Sequence, residues 1–296
     1  MLYDDALTCE ELLKTLSDTT PVIDWQITEI TEEQAHQLAS YLKNNAPCLT
    51  SFIFNCEKIT PAAYSIILTA LTEARSLQQL VLYPPLTSAQ TETIVNVLNN
   101  NRAINDLYLA CTEPTTVEPV FNLTKLNNLT LIGFDLANAQ FENLSRLKKL
   151  NLRKCQLSDS LQQLVNIAQL STLEIADINL KDEQIQAISK YTKTGAVTKL
   201  ALPNTQLNDE QASVLLVAFI GNSAVDSLDF QKNNLTTTTV AKISTLMQNG
   251  NLDQLKNLKL LHNRQISVFD QNLIKIQVIL ADRSSENKKI ASKKFQ

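Results

Sequence analysis

One spacing recurs so often along this 296-residue chain that any fold must accommodate it. In LKKLNLRKCQL, Leu147 to Leu157, leucines stand at offsets zero, three, five and ten, with a cysteine at offset eight. A helix would repeat its apolar positions every three or four residues and a half-buried strand would alternate throughout, so neither period explains the segment. Related segments begin at Thr20, Leu49, Leu77, Ile104, Leu126, Leu170, Val197, Val225 and Leu255, which makes ten copies. The start-to-start distances are 29, 28, 27, 22, 21, 23, 27, 28 and 30 residues. Each copy reads as a short strand through offsets three and five, followed by a bend that brings the chain inward again. One such unit cannot bury its own apolar edge, so the copies must stack on one another.

Stacked strands that all run the same way need crossover connections, and these are right-handed in a single sheet. The longer copies have room for a returning helix. Several carry its start signal: Thr31 with Gln34, Thr60 before Pro61, Thr87 with Gln90, and Asn208 with Gln211. The copies starting at Ile104, Leu126 and Leu147 are shorter by roughly a turn and a half of helix, and CTEPTTVEP reads as extended or turn-like. Leu150, Leu152 and Leu157 are expected inside. Lys149, Asn151 and Arg153 are expected on one exposed sheet face.

The pattern LxxLxLxxN/CxL resembles that of the leucine-rich repeat family, and the resemblance covers residues 20 to 266. It implies an α/β fold: a curved right-handed solenoid with a parallel concave sheet, convex helices and shorter repeats in the middle. The long copies are similar to those of the ribonuclease-inhibitor type. At offset eight Cys155, Asn233 and Asn263 match the signature, whereas Glu57, Pro85, Thr112, Phe134 and Ile178 depart from it. An incomplete side-chain ladder at the turns is therefore expected, with Cys56 and Cys111 one place early. Repeat stacks need polar caps. Residues 1–19, with the capping pair Thr8 and Glu11, form the expected N-terminal capping helix. Residues 267–283, with Ser267 and Asp270 at the same spacing, form the expected C-terminal one, and 284–296 read as a flexible tail.

Composition narrows the chemistry. Only four Gly occur against 27 Asn, and no phosphate-binding glycine loop is found. A net charge of −4 gives no basic footprint for nucleic acid. The longest apolar run, Ala212 to Gly221, is about half a membrane span, which argues against membrane insertion. Five scattered cysteines without a CxxC pair argue for free, mostly buried thiols rather than a disulfide framework or zinc site. The two histidines, His36 and His262, lack any supporting catalytic motif. No enzyme activity, cofactor or metal is expected. The acidic start MLYDDALTCEELL does not read as a signal peptide.

The open sheet face is the informative surface. Outward positions are Ile53, Val81, Tyr83, Tyr108, Thr130 and Ile132, followed by Lys149, Asn151 and Arg153. Contiguous apolar residues with Tyr and Arg among them fit an interaction hot spot, and incidental exposure of Val and Ile fits them equally. Ten strands at about 4.8 Å span roughly 45 Å, enough for a standard protein interface. The first expectation is a non-enzymatic module that binds a partner protein on this face. The Asn/Gln/Lys/Ile-rich, glycine-poor composition resembles leucine-rich-repeat effectors of intracellular Gram-negative bacteria. That resemblance implies a host protein partner, and a cytosolic protein secreted into the host cytosol without a cleavable N-terminal signal. An enzyme or enzyme recruiter with a cleft site, and an ordinary cytosolic scaffold or inhibitor, are the alternatives.

Overall fold

The computed structural model describes residues 8–16, 20–45, 48–220, 222 and 224–293. Two compact units divide the chain: residues up to Leu147 together with Lys154–Leu157, and Lys148–Arg153 together with the residues from Ser158 onward. The first unit contains α1 (Cys9–Thr15), β1 (Val22–Ile30), α2 (Glu32–Asn45), β2 (Ser51–Ile59), α3 (Pro61–Leu71), β3 (Gln79–Leu82), α4 (Ser88–Asn100), β4 (Asp106–Ala110) and β5 (Asn128–Ile132). Its last two return segments are short 3₁₀ turns, Glu118–Asn122 and Phe141–Asn143. The second unit contains β6 (Lys149–Arg153), a 3₁₀ stretch Asp159–Asn166, β7 (Thr172–Ala176), α5 (Asp182–Thr192), β8 (Lys199–Ala201), α6 (Asp209–Ala218), β9 (Ser227–Asp229), α7 (Thr237–Gln248), β10 (Asn257–Lys259) and α8 (Gln271–Lys293). The three copies too short for an α-helix are the three that return through 3₁₀ turns.

The strand pairs within each unit are parallel, and the sequence offset sets the register. Ile23, Phe52, Leu80, Leu107 and Leu129, all at offset three, lie opposite one another in succession. Leu150, Leu173, Leu200, Leu228 and Leu258 do the same in the second unit. A one-residue slip would turn every one of these side chains to the solvent face, so burial locks the register. Leu150 and Leu152 are buried as expected, but Leu157 is half-buried.

The bend after the strand comes in two forms. Gly133, Lys154, Asp177, Asn204, Lys232 and His262 all have φ between 54° and 84°, and all stand at offset seven. This left-handed residue breaks the strand and turns the chain away from the sheet. At Gly133 an added Cβ would also lie 2.8 Å from the Cys111 carbonyl oxygen, so glycine is required there for space as well as conformation. Earlier copies carry Ile27, Cys56, Pro84 and Cys111 at offset seven, none with positive φ, and β1 and β2 run on to nine residues.

The next position supplies the ladder. Asn233 accepts from the backbone N–H groups of Thr205 at 2.9 Å and Leu207 at 3.0 Å, and donates to the Leu202 carbonyl at 2.7 Å. Asn263 accepts from Leu235 N–H at 3.0 Å and donates to the Phe230 carbonyl at 3.0 Å. Cys155 performs a weaker version, its Sγ donating to the Leu131 carbonyl at 3.3 Å. Phe134 fills the position with a fully buried ring instead. Cys111 reaches the Ile132 carbonyl from one place early, and Cys56 bonds to the Lys58 carbonyl within its own strand and also interacts with the Ile30 backbone of the preceding copy.

Helix starts follow the sequence signals. Thr31 with Gln34, Thr87 with Gln90 and Asn208 with Gln211 form reciprocal caps, and Thr60 accepts from Ala63 N–H. The capping glutamines also reach the preceding return segment: Gln90 Nε2 donates to the Pro61 carbonyl and Gln211 Nε2 to Asp182. Thr8 and Glu11 form the expected box on α1. At the other end the cap is displaced. Asp270, rather than Ser267, accepts from the backbone of Asn272 and Leu273, because Ser267 is occupied with Phe269 N–H in a preceding turn. The helix also continues through residues 284–293, which composition alone assigns to a flexible tail, while 294–296 lie outside the described residues. Arg283 anchors α8 by donating to the carbonyls of Leu252 and Leu255. No helix among the described residues is long and apolar enough to cross a membrane.

Candidate protein-binding face

In the first unit the alternation of each strand puts every second residue on the open face of the sheet. Ile53, Val81, Tyr108 and Thr130 are successive register partners, so they form one continuous row across β2 to β5. Tyr83 lies immediately beyond β3 and is 44% exposed. Its ring centroid is 4.9 Å from that of Tyr108, with the planes tilted by 43°. Ile53, Tyr108, Thr130 and Ile132 are half-buried. Val81 departs from expectation, being only 8% exposed. Ile53 and Tyr108 stand directly opposite it on either side, and their larger side chains cover it.

A polar edge runs beside this row. Ser51 Oγ donates to Gln79 Oε1 at 2.7 Å, and Gln79 Nε2 donates to Asp106 Oδ2 at 3.1 Å. Ser51 and Gln79 were not picked out from the sequence, although both sit at offset two, the position of Asp106. The hydrogen bonds order the Asp106 carboxylate on the same face as Tyr108, two residues away along β4. The face positions of these five strands carry Asp24, Glu57 and Asp106 but no Lys or Arg. A tilted tyrosine pair with the ordered Asp106 carboxylate on the same face suits an aliphatic or cationic side chain from another molecule.

The second unit presents a different face. Lys149 is exposed, while Asn151 and Arg153 are half-buried. Arg153 is not the open charged donor that the sequence suggests, because it pairs with Glu174 and Asp177, both at 3.5 Å. Asn151 lies opposite Glu174, and its buried Oδ1 accepts no hydrogen bond among the described residues. Lys259 pairs with Asp229 at 3.2 Å. Charges on this face are therefore largely matched within the protein.

The remaining candidates are quiet. His36 and His262 are both exposed. Cys9, Cys56 and Cys155 are buried free thiols, and Cys48 is exposed. Burial pushes the Cys9 and Cys111 thiols up to about 11, the Cys56 charge adding to the effect at Cys9. No group of three or more His, Cys, Asp or Glu side chains that could hold a metal ion occurs among the described residues.

One parallel strand per repeat, a register fixed by the LxxLxL positions and asparagine rungs at the turns together define an α/β leucine-rich-repeat solenoid fold. No family model and no curated protein matches the chain. A Bacteroides fragilis protein of known structure is similar at 15% identity and TM-score 0.54, over 88% of this chain and 77% of that one. At that identity the similarity is one of fold. An internalin of Listeria monocytogenes aligns over 92% of this chain and 87% of its own at 18% identity and TM-score 0.48. Internalin C2 of the same organism aligns over 64% and 79% at 22% identity and TM-score 0.41.

Proposed function

We propose that the protein is a non-enzymatic interaction module whose first unit binds a partner protein on its open sheet face, with Tyr83 and Tyr108 as the anchor. The observation that carries this reading is the ring contact between exposed Tyr83 and half-buried Tyr108, the latter a member of the Ile53–Val81–Tyr108–Thr130 row. Tyrosines in a partly apolar surround supply large contact area at low entropic cost, which is the chemistry of binding hot spots. The carboxylates on this face favour a partner that brings a basic or neutral side chain to it. Lys149, Asn151 and Arg153 are a second, weaker contact set, since forming new contacts there requires giving up the Glu174 and Asp177 pairs.

A host protein as the partner, and a bacterial effector as the role, rest on composition. The test is affinity capture from host lysate, identification of the prey and measurement of its affinity as a purified protein. Y83A/Y108A should abolish tight binding while K149E should leave it within a few fold. Equal affinity for the double tyrosine variant rejects this face, and turnover of a captured protein rejects the non-enzymatic reading.

A further inference from the structure

The turns that follow β8, β9 and β10 present a second surface, formed by the second unit alone. Offset seven places Asn204, Lys232 and His262 in one column, and offset nine places Gln206, Asn234 and Arg264 in another. Between the columns runs the buried ladder position, Thr205, Asn233 and Asn263. Each turn therefore shows two exposed side chains flanking one buried rung, and these six exposed residues line a single groove of about 800 Å³. Its backbone is held in place from turn to turn: Asn204 N–H donates to the Gln231 carbonyl at 3.1 Å, Lys232 N–H to Leu261 at 2.9 Å, and Asn234 N–H to Leu207 at 2.9 Å. The site is thus organised before any ligand arrives, which lowers the entropic cost of binding.

Its chemistry is opposite to that of the chain as a whole. The net charge is −4, yet the groove is lined by Lys232, His262 and Arg264 and by no Asp or Glu. Lys259, Arg153 and Arg283 all have carboxylate partners, whereas Lys232 and Arg264 have none among the described residues. The neighbouring amides are partly committed. Asn204 Nδ2 donates to Asp177 at 2.8 Å and Asn234 Nδ2 to the Gln206 carbonyl at 3.3 Å, which commits one amide hydrogen of each and keeps the Oδ1 atoms as acceptors. Cations beside amide acceptors match a molecule that carries both carboxylates and N–H donors. A phosphate ion offers no such donors and is small for the volume.

We propose that this groove binds a short acidic peptide segment in extended form. Lys232 and Arg264 take its carboxylates, and the Asn204 and Asn234 side-chain oxygens accept from its backbone N–H groups. Three turns at about 4.8 Å span roughly 10 Å, the length of about three extended residues. The site takes a ligand chemistry distinct from that inferred for the tyrosine face, so either reading stands if the other fails.

The experiment titrates a fluorescein-labelled peptide containing consecutive Asp and Glu residues with the full-length protein and follows anisotropy at low and physiological salt. The expected result is saturable binding that weakens with salt and that is absent for the matched Asn/Gln peptide. K232N/R264Q should bind at least about tenfold more weakly, as loss of two charged partners requires. Asn tolerates the left-handed backbone at position 232, so this variant keeps the fold, and a circular-dichroism melt verifies it. K190Q, which removes an exposed charge from α5, should bind as the parent does. Equal binding of the amide peptide, an undiminished K232N/R264Q variant, or displacement by inorganic phosphate or a single-stranded oligonucleotide at lower concentration than by unlabelled peptide would each overturn the proposal.

Discussion

Tyr83 and Tyr108 hold their ring centroids 4.9 Å apart although they are not register partners; the residue opposite Tyr108 is Val81. The contact is diagonal, since Tyr83 lies two residues beyond Val81 along the chain. Replacing both with Ala should remove about 2 kcal/mol or more of partner binding if they are the anchor. Their mutual contact contributes about 0.5–1.5 kcal/mol, so a double-mutant cycle on stability should give a coupling in that range while the fold persists. Calorimetric affinity and thermal melts of the four proteins check both statements.

Leu129, Leu150 and Leu173 occupy the same inward offset and are each 1% exposed. Truncating any one to Ala should cost about 2–5 kcal/mol, the transfer loss plus the cavity left behind. Denaturant melts with an unchanged m-value would confirm it, and losses below about 0.5 kcal/mol at all three would contradict the shared packing position.

Asn233 makes contacts on both its side-chain oxygen and its nitrogen, all to groups inside the second unit. Asn233→Ala strips several buried backbone groups of their partner at once, so the expected loss is at least about 2 kcal/mol. Asn234→Ala, one residue away and exposed, should change stability by less than about 0.5 kcal/mol. Similar losses for the two would show that the rung is not what closes the turn.

Thiol labelling should separate the cysteines. Burial raises Cys9 and Cys111 to about 11, so at pH 8 almost none of either is thiolate, the reactive form. Exposed Cys48 should be alkylated first in the native protein, followed by Cys111 only as the pH approaches 11. Mass-spectrometric mapping of iodoacetamide adducts over pH 7 to 10.5 reads the order, and early labelling of Cys9 would contradict its packing.

Burial by itself would raise the Asp209 carboxyl, but hydrogen bonds from Thr236 and Thr239 outweigh it and hold the group below its ordinary value. A depressed folded value means that the stabilisation is present above the unfolded value of about 3.9 and is lost as pH falls through the lower folded one. D209N should therefore melt earlier than the parent at neutral pH, and the difference should shrink as pH drops below about 4. A gap that is constant down to pH 2 would exclude the carboxylate as its source.

The repeat positions were readable because burial enforces them. A leucine at offset three or five has one favourable side of the sheet to face, and the strand pairs within each unit keep that offset in register. Helix starts were readable for a similar reason, since a Thr or Asn before a glutamine box satisfies amides that nothing else reaches. Asp270 shows where that logic fails: Ser267 has the right spacing, but a local turn occupies it first. Val81 shows another limit, because alternation gives direction without saying how tall the neighbouring side chains are. Arg153 was assigned to the open face correctly, yet its partner Asp177 comes from a turn in the next repeat, a contact that no within-strand pattern encodes. The left-handed position was not read from the sequence: Gly133 and Asn204 are residue types that favour it, but Lys154, Lys232 and His262 hold it too, and residue type gives no sign of it there.

The asparagine rungs have a direction. Asn233 belongs to the repeat that starts at Val225, yet the groups it holds at Leu202, Thr205 and Leu207 belong to the repeat before. Asn263 likewise serves Phe230 and Leu235 of the preceding turn. Each turn is closed by residues made after it. During synthesis the newest turn of this region is always open, and it settles only when the following repeat has emerged. Removing repeats from the C-terminal side exposes amides in whatever turn is left last, whereas removal from the N-terminal side leaves the first remaining asparagine without the turn it serves.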